Sequence, residues 1–152
     1  FSMPGVMSKE EELMTKDYKQ ILESQGYEVI YYKTDTYPRF GQFNRVRHDI
    51  MRSVGMIAFG LKQLNIHKAS YRPSTQNEEE WDGKWLPTPW NEIEVGMGLM
   101  KGMPILLVHD PDISTGVFDG NLSECFVAKI SVNEDSRKLE QNKAFDEWLS
   151  KL

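Results

Sequence analysis

Glu94 is the residue whose setting in the sequence most suggests catalysis. It lies about a turn and a half inside a predicted helix, on the same face as Trp90 and either Met97 or Gly98. A carboxylate in an apolar, closely packed setting is a candidate nucleophile or general acid or base. The same spacing also fits a solvated glutamate on the helix surface. Glu92, in the first turn, is predicted to interact with the helix dipole.

Other side chains are candidates for ligand contacts. Lys62 and Gln63 directly follow a predicted strand, and ligands of open α/β sheets bind near strand ends. Trp90 is a candidate for stacking on a nucleobase, and packing is the alternative explanation for it. A basic cluster is predicted either to bind a phosphate or carboxylate or to form a solvated helix face. Its members are Arg39, Arg45, Arg47, His48 and Arg52.

The histidines and the cysteine predict neither a metal site nor thiol chemistry. His48, His67 and His109 are too scattered along the chain for a metal site. The lone Cys125 excludes an intramolecular disulfide and a cysteine-rich zinc site, and it is predicted to be a small buried residue. We therefore expect no metal and no cofactor.

Helical patterns alternate with short apolar runs along the chain. Ser8 and Glu11 form a capping box that begins the first helix. Thr88 and Pro89 begin the helix that carries Glu94, and Gly102 ends it. Helices are predicted at 8–26, from 43 or 44 onward, at 88–101 and at 136–152, and strands at 27–32, 55–60, 103–108 and 126–132. Inward packing is predicted for Val46, Ile50, Met51, Ile93, Val95 and Met100.

The alternation predicts an α/β fold, specifically a flavodoxin-like three-layer sandwich. Its mostly parallel sheet has about five strands and carries helices on both faces. The first helix needs a strand before it, so residues 1–3 are predicted to be the clipped end of that strand, and residues foreign to the natural chain are the alternative explanation. Residues 65–87 are polar and predicted to be irregular, as a lid or a disordered loop, within one domain spanning 1–152. The loops at 2–6, 34–41, 60–63 and 110–119 are predicted to surround the binding edge.

The composition indicates an acidic globular protein. With 18 lysines and arginines against 23 aspartates and glutamates, the 152 residues carry a net charge of −5. An acidic chain is a poor nucleic-acid binder, because phosphate contacts need a basic face. No apolar run approaches the roughly 20 residues that span a bilayer, and no signal-peptide pattern opens the sequence. We expect a cytoplasmic protein without nucleic-acid or membrane partners.

Two stretches of the chain match motifs of a known group of proteins. Residues 88–98 read Thr-Pro-Trp-Asn-Glu-Ile-Glu-Val-Gly-Met-Gly, and residues 102–106 read Gly-Met-Pro-Ile-Leu. This combination resembles the nucleoside 2-deoxyribosyltransferase-like group, whose members carry a Glu-apolar-Gly-x-small segment followed by Gly-x-Pro and a buried strand. Together with Gly-Val-Phe-Asp at 116–119, it also resembles bacterial proteins related to that group and to Toll/interleukin-receptor (TIR) domains. The resemblance covers most of residues 1–120.

The resemblance implies cleavage or transfer at the N-glycosidic bond of a nucleoside, nucleotide or NAD-like substrate. In the transferases, and in TIR domains that consume NAD, a glutamate acts at such a bond, and Glu94 aligns with it. A close carboxylate can stabilise or trap the oxocarbenium-like transition state. The resemblance and the predicted binding edge together suggest substrate-binding roles for Ser2, Pro4, Gly5, Lys62, Trp90, Glu92, Gly96, Phe118 and Asp119.

The chain departs from the transferases just before the glutamate motif. The transferases place further acidic residues there, partly to handle the nucleobase, whereas residues 84–88 contain no carboxylate. Protonation of the leaving base is then absent, or comes from Glu92 or Asp119, or is unnecessary because nicotinamide is already a cationic leaving group. The last alternative favours a TIR-like or nucleotide substrate.

Two other functions are compatible with the same sequence. A nucleotide-binding sensor in a bacterial defence or signalling system would use the pocket without turnover. An assembly role would use residues 65–87 as a partner arm, since TIR-like folds often self-associate. The expected ligand is a small-molecule nucleoside or nucleotide, and a homo-oligomer is a possible state.

Overall fold

The computed structural model describes residues 1–32, 41–120, 124–131 and 142–152. Its helices are α1 (Lys9–Ser24), α2 (Gln42–Arg52), α3 (Pro89–Lys101) and α4 (Lys143–Leu149), and a 3₁₀ turn spans Gly116–Phe118. Its strands are β1 (Met56–Gly60), β2 (Leu64–Ile66), β3 (Ala69–Tyr71), β4 (Glu79–Trp81), β5 (Lys84–Leu86), β6 (Ile105–His109) and β7 (Phe126–Lys129). Within these ranges, every helix is too short or too polar to cross a bilayer.

β1, β6 and β7 form a parallel sheet with β6 in the centre. Met56 pairs with Ile105 at one end of the β1–β6 ladder, and Gly60 pairs with His109 at the other. Every residue of β1 and β6 is buried, which is the pattern of strands covered on both faces. The predicted α/β class with parallel strands is confirmed.

Helices pack on both faces of this sheet. On one face, Phe59 of β1 packs with Tyr18 of α1 and Trp148 of α4, and the Tyr18 and Phe59 ring centroids lie 5.4 Å apart. On the other face, Ala58 of β1 packs with Val95 of α3. Successive β1 side chains thus enter opposite clusters, as the two-residue period of a strand requires.

The two predicted strands at the start of the chain are only partly present. Ser2 forms a single parallel bridge to Ala58. Its backbone nitrogen donates a hydrogen bond to the Ile57 carbonyl oxygen, and its carbonyl oxygen accepts one from the Phe59 nitrogen. Residues 27–32 belong to no strand ladder, so the prediction of a strand there is wrong. Their link to residue 1 is one hydrogen bond, from the Phe1 nitrogen to the Ile30 carbonyl oxygen at 2.6 Å. Because the N-terminal segment pairs with β1 at Ser2 alone, it is too short a strand for residues 27–32 to form a ladder with it.

The segment predicted as an irregular lid is a β-hairpin, which we call the arm (residues 64–86). β2 pairs with β5, and β3 pairs further out with β4, both antiparallel. Arg72 and Ser74 at the tip have positive φ angles of 57° and 62°, and Glu78 accepts hydrogen bonds from the Ser70 hydroxyl and the Ser74 backbone. The prediction missed these strands because each has only three residues, all exposed or half-buried, which is too short a stretch for an alternation of apolar and polar residues to be recognised.

The sequence predicts where the helices begin and end better than it predicts which side of each helix faces the core. The capping box is confirmed, with the Ser8 nitrogen donating to Glu11 at 2.7 Å. The sequence pattern placed Met51, Ile93 and Met100 inside, but they are 60%, 40% and 89% exposed. The predictions for Ile93 and Met100 were wrong because apolar residues lie on several sides of α3, so the period alone does not fix its inner face. Met51 follows the buried Ile50 on α2 and lies on the outer side of that helix.

Two predicted segments extend beyond the described residues. Most of the predicted loop at 34–41 lies outside them, as does the first part of the helix predicted at 136–152. Within the described part, α4 begins at Lys143 after the cap residue Asn142. β7 ends at Lys129, before the Val132 that the sequence suggested.

Candidate functional site

α3 begins where the sequence predicts and turns Glu94 towards the interior. The Thr88 hydroxyl accepts a hydrogen bond from the Asn91 backbone, and Pro89 suits the first turn. The helix ends at Gly102, whose φ of 72° favours glycine. Glu94 is 7% exposed, so the alternative of a solvated surface glutamate is wrong.

Glu94 lines a small cavity between α2, α3 and the N-terminal segment, which we call the Glu94 cleft. Its volume is about 50 Å³. The other polar side chains of its wall come from Ser2, Tyr32, Asp49 and Ser53. The remaining wall is largely apolar and includes Val46, Ile50, Met56 and Met103. A cleft of this size holds a few water molecules and is smaller than the roughly 300–1,000 Å³ of typical ligand pockets.

Asp49 is a second carboxylate of the cleft, and three side chains hold it as an anion. The Tyr32 hydroxyl donates to its Oδ2. Arg45 Nε lies 3.4 Å from the same oxygen, and His48 Nδ1 lies 3.1 Å from Oδ1. The hydrogen bond from Tyr32 contributes most to lowering the pKa of Asp49, against the opposing effect of burial. Burial and the bond to Asp49 raise the pKa of Tyr32, so near pH 7 a carboxylate faces a protonated hydroxyl.

Asn91 connects α3 to the N-terminal segment. Its Nδ2 donates to the Ser2 hydroxyl at 2.9 Å, and its Oδ1 accepts from the Thr88 hydroxyl at 2.9 Å. Asn91 is 1% exposed and Ser2 is 2% exposed. Sequence reasoning missed Asn91, although its position three residues before Glu94 places both on one helix face.

The N-terminal segment forms another part of the cleft wall. Phe1 and Ile30, which are hydrogen-bonded to each other, both line the cleft. The N-terminal segment and the stretch before Tyr32 therefore form a continuous wall facing α3.

Lys62 lies outside the Glu94 cleft, in a group that we call the Lys62 cluster (Lys62, Trp85, Asp110 and Asp112). Its Nζ lies 3.2 Å from Asp110 Oδ1 and 2.5 Å from Asp112 Oδ2. The ammonium also lies 5.6 Å from the centre of the Trp85 ring. The hydrogen bond with Asp112 contributes most to raising the pKa of Lys62. The structure therefore gives Lys62 protein partners and does not place it with Glu94.

Three further predicted substrate-binding residues lie near the 3₁₀ turn rather than on the cleft wall. Glu92 is exposed, and its carboxylate occupies the space that a Cβ on Gly116 would need. Phe118 is 1% exposed and packs in the core, so it offers no surface to a ligand. Asp119 is exposed at the end of the turn.

The other predicted residues are distributed between the interior and the surface. The Trp90 ring lies 5.0 Å from that of Phe43 of α2. Pro4 is buried and Gly5 is exposed. A Cβ on Gly96 would meet nothing within 4 Å, so this position faces open space. Of the nine predicted binding residues, the structure brings only Ser2 into the wall that Glu94 lines.

The predicted basic cluster divides along α2, and Arg39 lies outside the described residues. Arg45 and His48 turn towards Asp49. Arg47 and Arg52 are exposed and have no ion-pair partner in the described part of the chain. The cluster therefore partly stabilises an anion of the protein itself and partly forms a solvated face.

Metal binding has no support in the described ranges, where no three His, Cys, Asp or Glu side chains are grouped to hold an ion. His109 is 1% exposed, and burial lowers its pKa. Burial raises the pKa of the Cys125 thiol, which disfavours the reactive thiolate.

Comparisons with known proteins give no independent assignment. The sequence matches no protein-family model, and no curated protein or solved structure matches it.

Proposed function

We propose that this protein cleaves or transfers the N-glycosidic bond of a nucleotide or NAD-like substrate, with Glu94 as the nucleophile. The observation that carries the proposal is the burial of the Glu94 carboxylate in a cleft that also contains Asp49 and Tyr32. A carboxylate held in such a setting acts more strongly on developing positive charge than one in water.

The chemistry requires one carboxylate oxygen near the anomeric carbon. An oxygen of Glu94 attacks that carbon, the bond to the base nitrogen breaks, and its electron pair leaves with the base. The sugar remains as a glycosyl ester of Glu94 after an oxocarbenium-like transition state. Water or a second base then attacks the same carbon and releases the carboxylate. Water loses a proton in this step, and the Asp49 carboxylate, which lines the same cleft, is the candidate to accept it.

The protonation states in the cleft favour a leaving group that is already cationic. A neutral purine or pyrimidine must gain a proton as it leaves, and the lowered pKa of Asp49 makes this carboxyl a poor acid. The raised pKa of Tyr32 likewise opposes loss of its proton. Nicotinamide leaves from NAD as a neutral molecule and needs no proton, so the described residues of the cleft suit an NAD-like substrate.

The size of the cleft sets a condition on binding. About 50 Å³ is too small for a nucleotide, so α2 and the N-terminal segment must separate when the substrate enters. A neighbouring groove of about 260 Å³ shares Phe1, Ile30, Ser53 and Gly55 with the cleft wall. Displacement of these shared residues would join the two spaces and provide a volume within the range of ligand pockets.

We also propose a specific fold and a family relationship for this chain. The Ser2 bridge to β1 and the contact between Phe1 and Ile30 are compatible with the spatial order 27–32, 1–3, β1, β6, β7, in which residues 27–32 lie beside the N-terminal segment without forming a strand. That order is the flavodoxin-like one, and the motif around Glu94 agrees with a nucleoside 2-deoxyribosyltransferase-like or TIR-like protein.

The decisive experiment measures free base released from NAD, nucleotides and nucleosides by chromatography. The wild type is expected to release nicotinamide from NAD faster than it releases bases from neutral nucleosides. Glu94→Gln should reduce this rate by roughly 10⁴-fold, because it removes the nucleophile and keeps the side-chain shape. Glu10→Gln, an exposed change of the same kind on α1, is the matched control and should keep the wild-type rate.

Equal base release by the wild type and Glu94→Gln would rule out the assigned role. Thermal stabilisation by one nucleotide without any base release would instead identify a sensor. Binding of that kind stabilises the folded state by about 2.7 kcal/mol when the ligand is at a hundred times its Kd.

A further inference from the structure

A chain of hydrogen bonds runs from the start of α3 to the wall of the Glu94 cleft. The Thr88 hydroxyl donates to Asn91 Oδ1 at 2.9 Å, and Asn91 Nδ2 donates to the Ser2 hydroxyl oxygen at 2.9 Å. Asn91 and Ser2 are 1% and 2% exposed, so bulk water reaches neither side chain. Because the Asn91 amide nitrogen is itself a donor, the proton of the Ser2 hydroxyl must point to another acceptor.

The backbone restricts where this hydroxyl can point. The Ser2 nitrogen donates to the Ile57 carbonyl oxygen at 2.9 Å, and the Ser2 carbonyl oxygen accepts from the Phe59 nitrogen at 2.8 Å. Both polar backbone groups of Ser2 are therefore held on β1, and the residue lines the Glu94 cleft. An unused donor in a buried site costs free energy, so we expect the acceptor of the Ser2 proton on the cleft wall.

Glu94 is the acceptor that the helix geometry favours. It follows Asn91 by three residues on α3, which places both side chains on one face with their Cβ atoms about 5–6 Å apart. Asn91 holds the Ser2 hydroxyl by a direct bond, so this hydroxyl lies beside the same helix face as Glu94. Asp49, the other carboxylate of the described wall, already has three side-chain partners.

A buried nucleophile needs a donor of this kind. A carboxylate attacks carbon in its ionised form, whereas enclosure of Glu94 at 7% exposure disfavours that form. The Asp49 anion in the same cleft disfavours it further, because like charges repel. A hydrogen bond donated to the ionised carboxylate opposes both effects.

We propose that Asn91 directs the Ser2 hydroxyl to donate a hydrogen bond to the Glu94 carboxylate, which keeps this carboxylate ionised inside the cleft. Asn91 and Ser2 are then positioning residues for the nucleophile, and their part in catalysis rests on the proposed function. Thr88 caps α3 and also holds the Asn91 amide, so the helix start and the orientation of the carboxylate depend on the same side chain.

The first test follows the Glu94 carboxyl carbon by NMR during a pH titration of protein labelled with carbon-13 in its glutamates. Glu94→Gln removes this signal and so identifies it. Ser2→Ala should raise the midpoint of the titration by about one to two pH units, because a hydrogen bond to a charged group is lost. Asn91→Leu should raise the midpoint by less, because the Ser2 hydroxyl remains but is no longer held.

Ser53→Ala is the matched control for the loss of a hydroxyl. Ser53 lines the same cleft, but its hydroxyl already donates to the Asp49 carbonyl oxygen at 2.7 Å. This variant should leave the Glu94 midpoint unchanged. The other titratable side chains of the described wall, Asp49 and Tyr32, are the same in all these variants.

The second test measures kcat/KM for base release against pH. The acid limb of this profile should move in Ser2→Ala by as much as the NMR midpoint. Base release that is absent from the wild type, together with a shifted midpoint in Ser2→Ala, would contradict the proposed function and support the hydrogen bond between Ser2 and Glu94.

Circular dichroism checks that each variant is folded, and the two substitutions in the chain test it separately. An unchanged midpoint in folded Ser2→Ala or in folded Asn91→Leu overturns the inference. An equal shift in Ser53→Ala does so as well, because the effect would then belong to any hydroxyl of the cleft. An acid limb that stays fixed while the midpoint moves would refute the part in catalysis.

Discussion

The Glu94 cleft and the Lys62 cluster both bring two carboxylates together, but they handle the negative charge differently. In the Lys62 cluster, one ammonium lies between Asp110 and Asp112, at 3.2 and 2.5 Å. Asp112 is largely exposed, with 64% of its side chain accessible, so water and Lys62 share its solvation. Asp110 is 6% exposed, and in the Glu94 cleft Asp49 and Glu94 are 8% and 7% exposed, so the two regions differ in the exposure of Asp112 and in the ammonium between the carboxylates.

This difference distinguishes a carboxylate pair that is partly solvated by water from a pair that the protein encloses. Burying a carboxylate costs free energy, and folds retain such groups where they have strong partners or a function. Lys62 sits at the strand edge where the fold class usually binds ligands, yet its charge is already used by the protein. The more buried pair, between α2 and α3, is the better candidate for catalysis although it lies away from that edge.

The largest expected effect concerns the packing of the strand end that leads into the Lys62 cluster. A Cβ on Gly60 would lie 2.8 Å from His109 Cβ and 2.9 Å from Phe118 Cδ1. Gly60→Ala should therefore lower the free energy of unfolding by about 1–3 kcal/mol, measured by urea denaturation. Gly96→Ala is the control, because a Cβ there meets nothing within 4 Å. It should stabilise helix α3 by about 0.5–1 kcal/mol. A Gly60→Ala variant with the same free energy of unfolding as the wild type would show that His109 and Phe118 can shift to make room for the added methyl group.

Local signals in the sequence predict the helix ends well. Ser8 with Glu11, Thr88 with Pro89, and Gly102 each act within one or two turns, so they can be recognised without knowing the tertiary structure. The same locality explains the predicted strands β1 and β6, whose continuous apolar runs indicate burial on both faces.

The composition of the Glu94 cleft could not be predicted in the same way. Tyr32, Asp49 and Glu94 come from three distant segments, and only the packing of α2 against α3 brings them together. In the sequence, Asp49 has the character of an ordinary polar helix residue. Only the burial of its neighbours Val46 and Ile50 in the structure shows that it lies on the inner face of α2. The arm was missed for the opposite reason, since its short strands bury too little apolar surface to show a period.

A smaller effect is expected from the hydrogen bond between Tyr32 and Asp49. Tyr32→Phe should cost about 1 kcal/mol of stability near pH 7, because Asp49 loses a donor. Asp49 has a lower pKa in the folded protein than its ordinary 3.8. Its contribution is therefore present above pH 3.8 and is lost as the pH falls through the folded value. The difference between the wild type and Tyr32→Phe should shrink in acid.

Tyr31→Phe is the matched control for this measurement. Its ring lies 5.0 Å from the Lys19 ammonium, and its hydroxyl has no described hydrogen-bond partner. Removing that hydroxyl should leave the unfolding curves unchanged at every pH. If Tyr31→Phe and Tyr32→Phe had the same pH profile, the hydrogen bond between Tyr32 and Asp49 would contribute no acid-sensitive stability.

The smallest effect is expected from Lys62 and has the opposite pH dependence. Lys62→Met should cost about 1 kcal/mol, because solvent screens the exposed Asp112 and the Asp112 backbone nitrogen still donates to the buried Asp110 carboxylate. The raised pKa of Lys62 means that its contribution is present below the ordinary value of 10.5 and is lost as the pH rises through the folded value. Lys68→Met removes an ion pair with Glu80 whose side chains are 78% and 66% exposed, so it should have almost no effect. Stabilisation by Lys62 that persists unchanged as the pH rises through its folded pKa would contradict the pairing with Asp110 and Asp112.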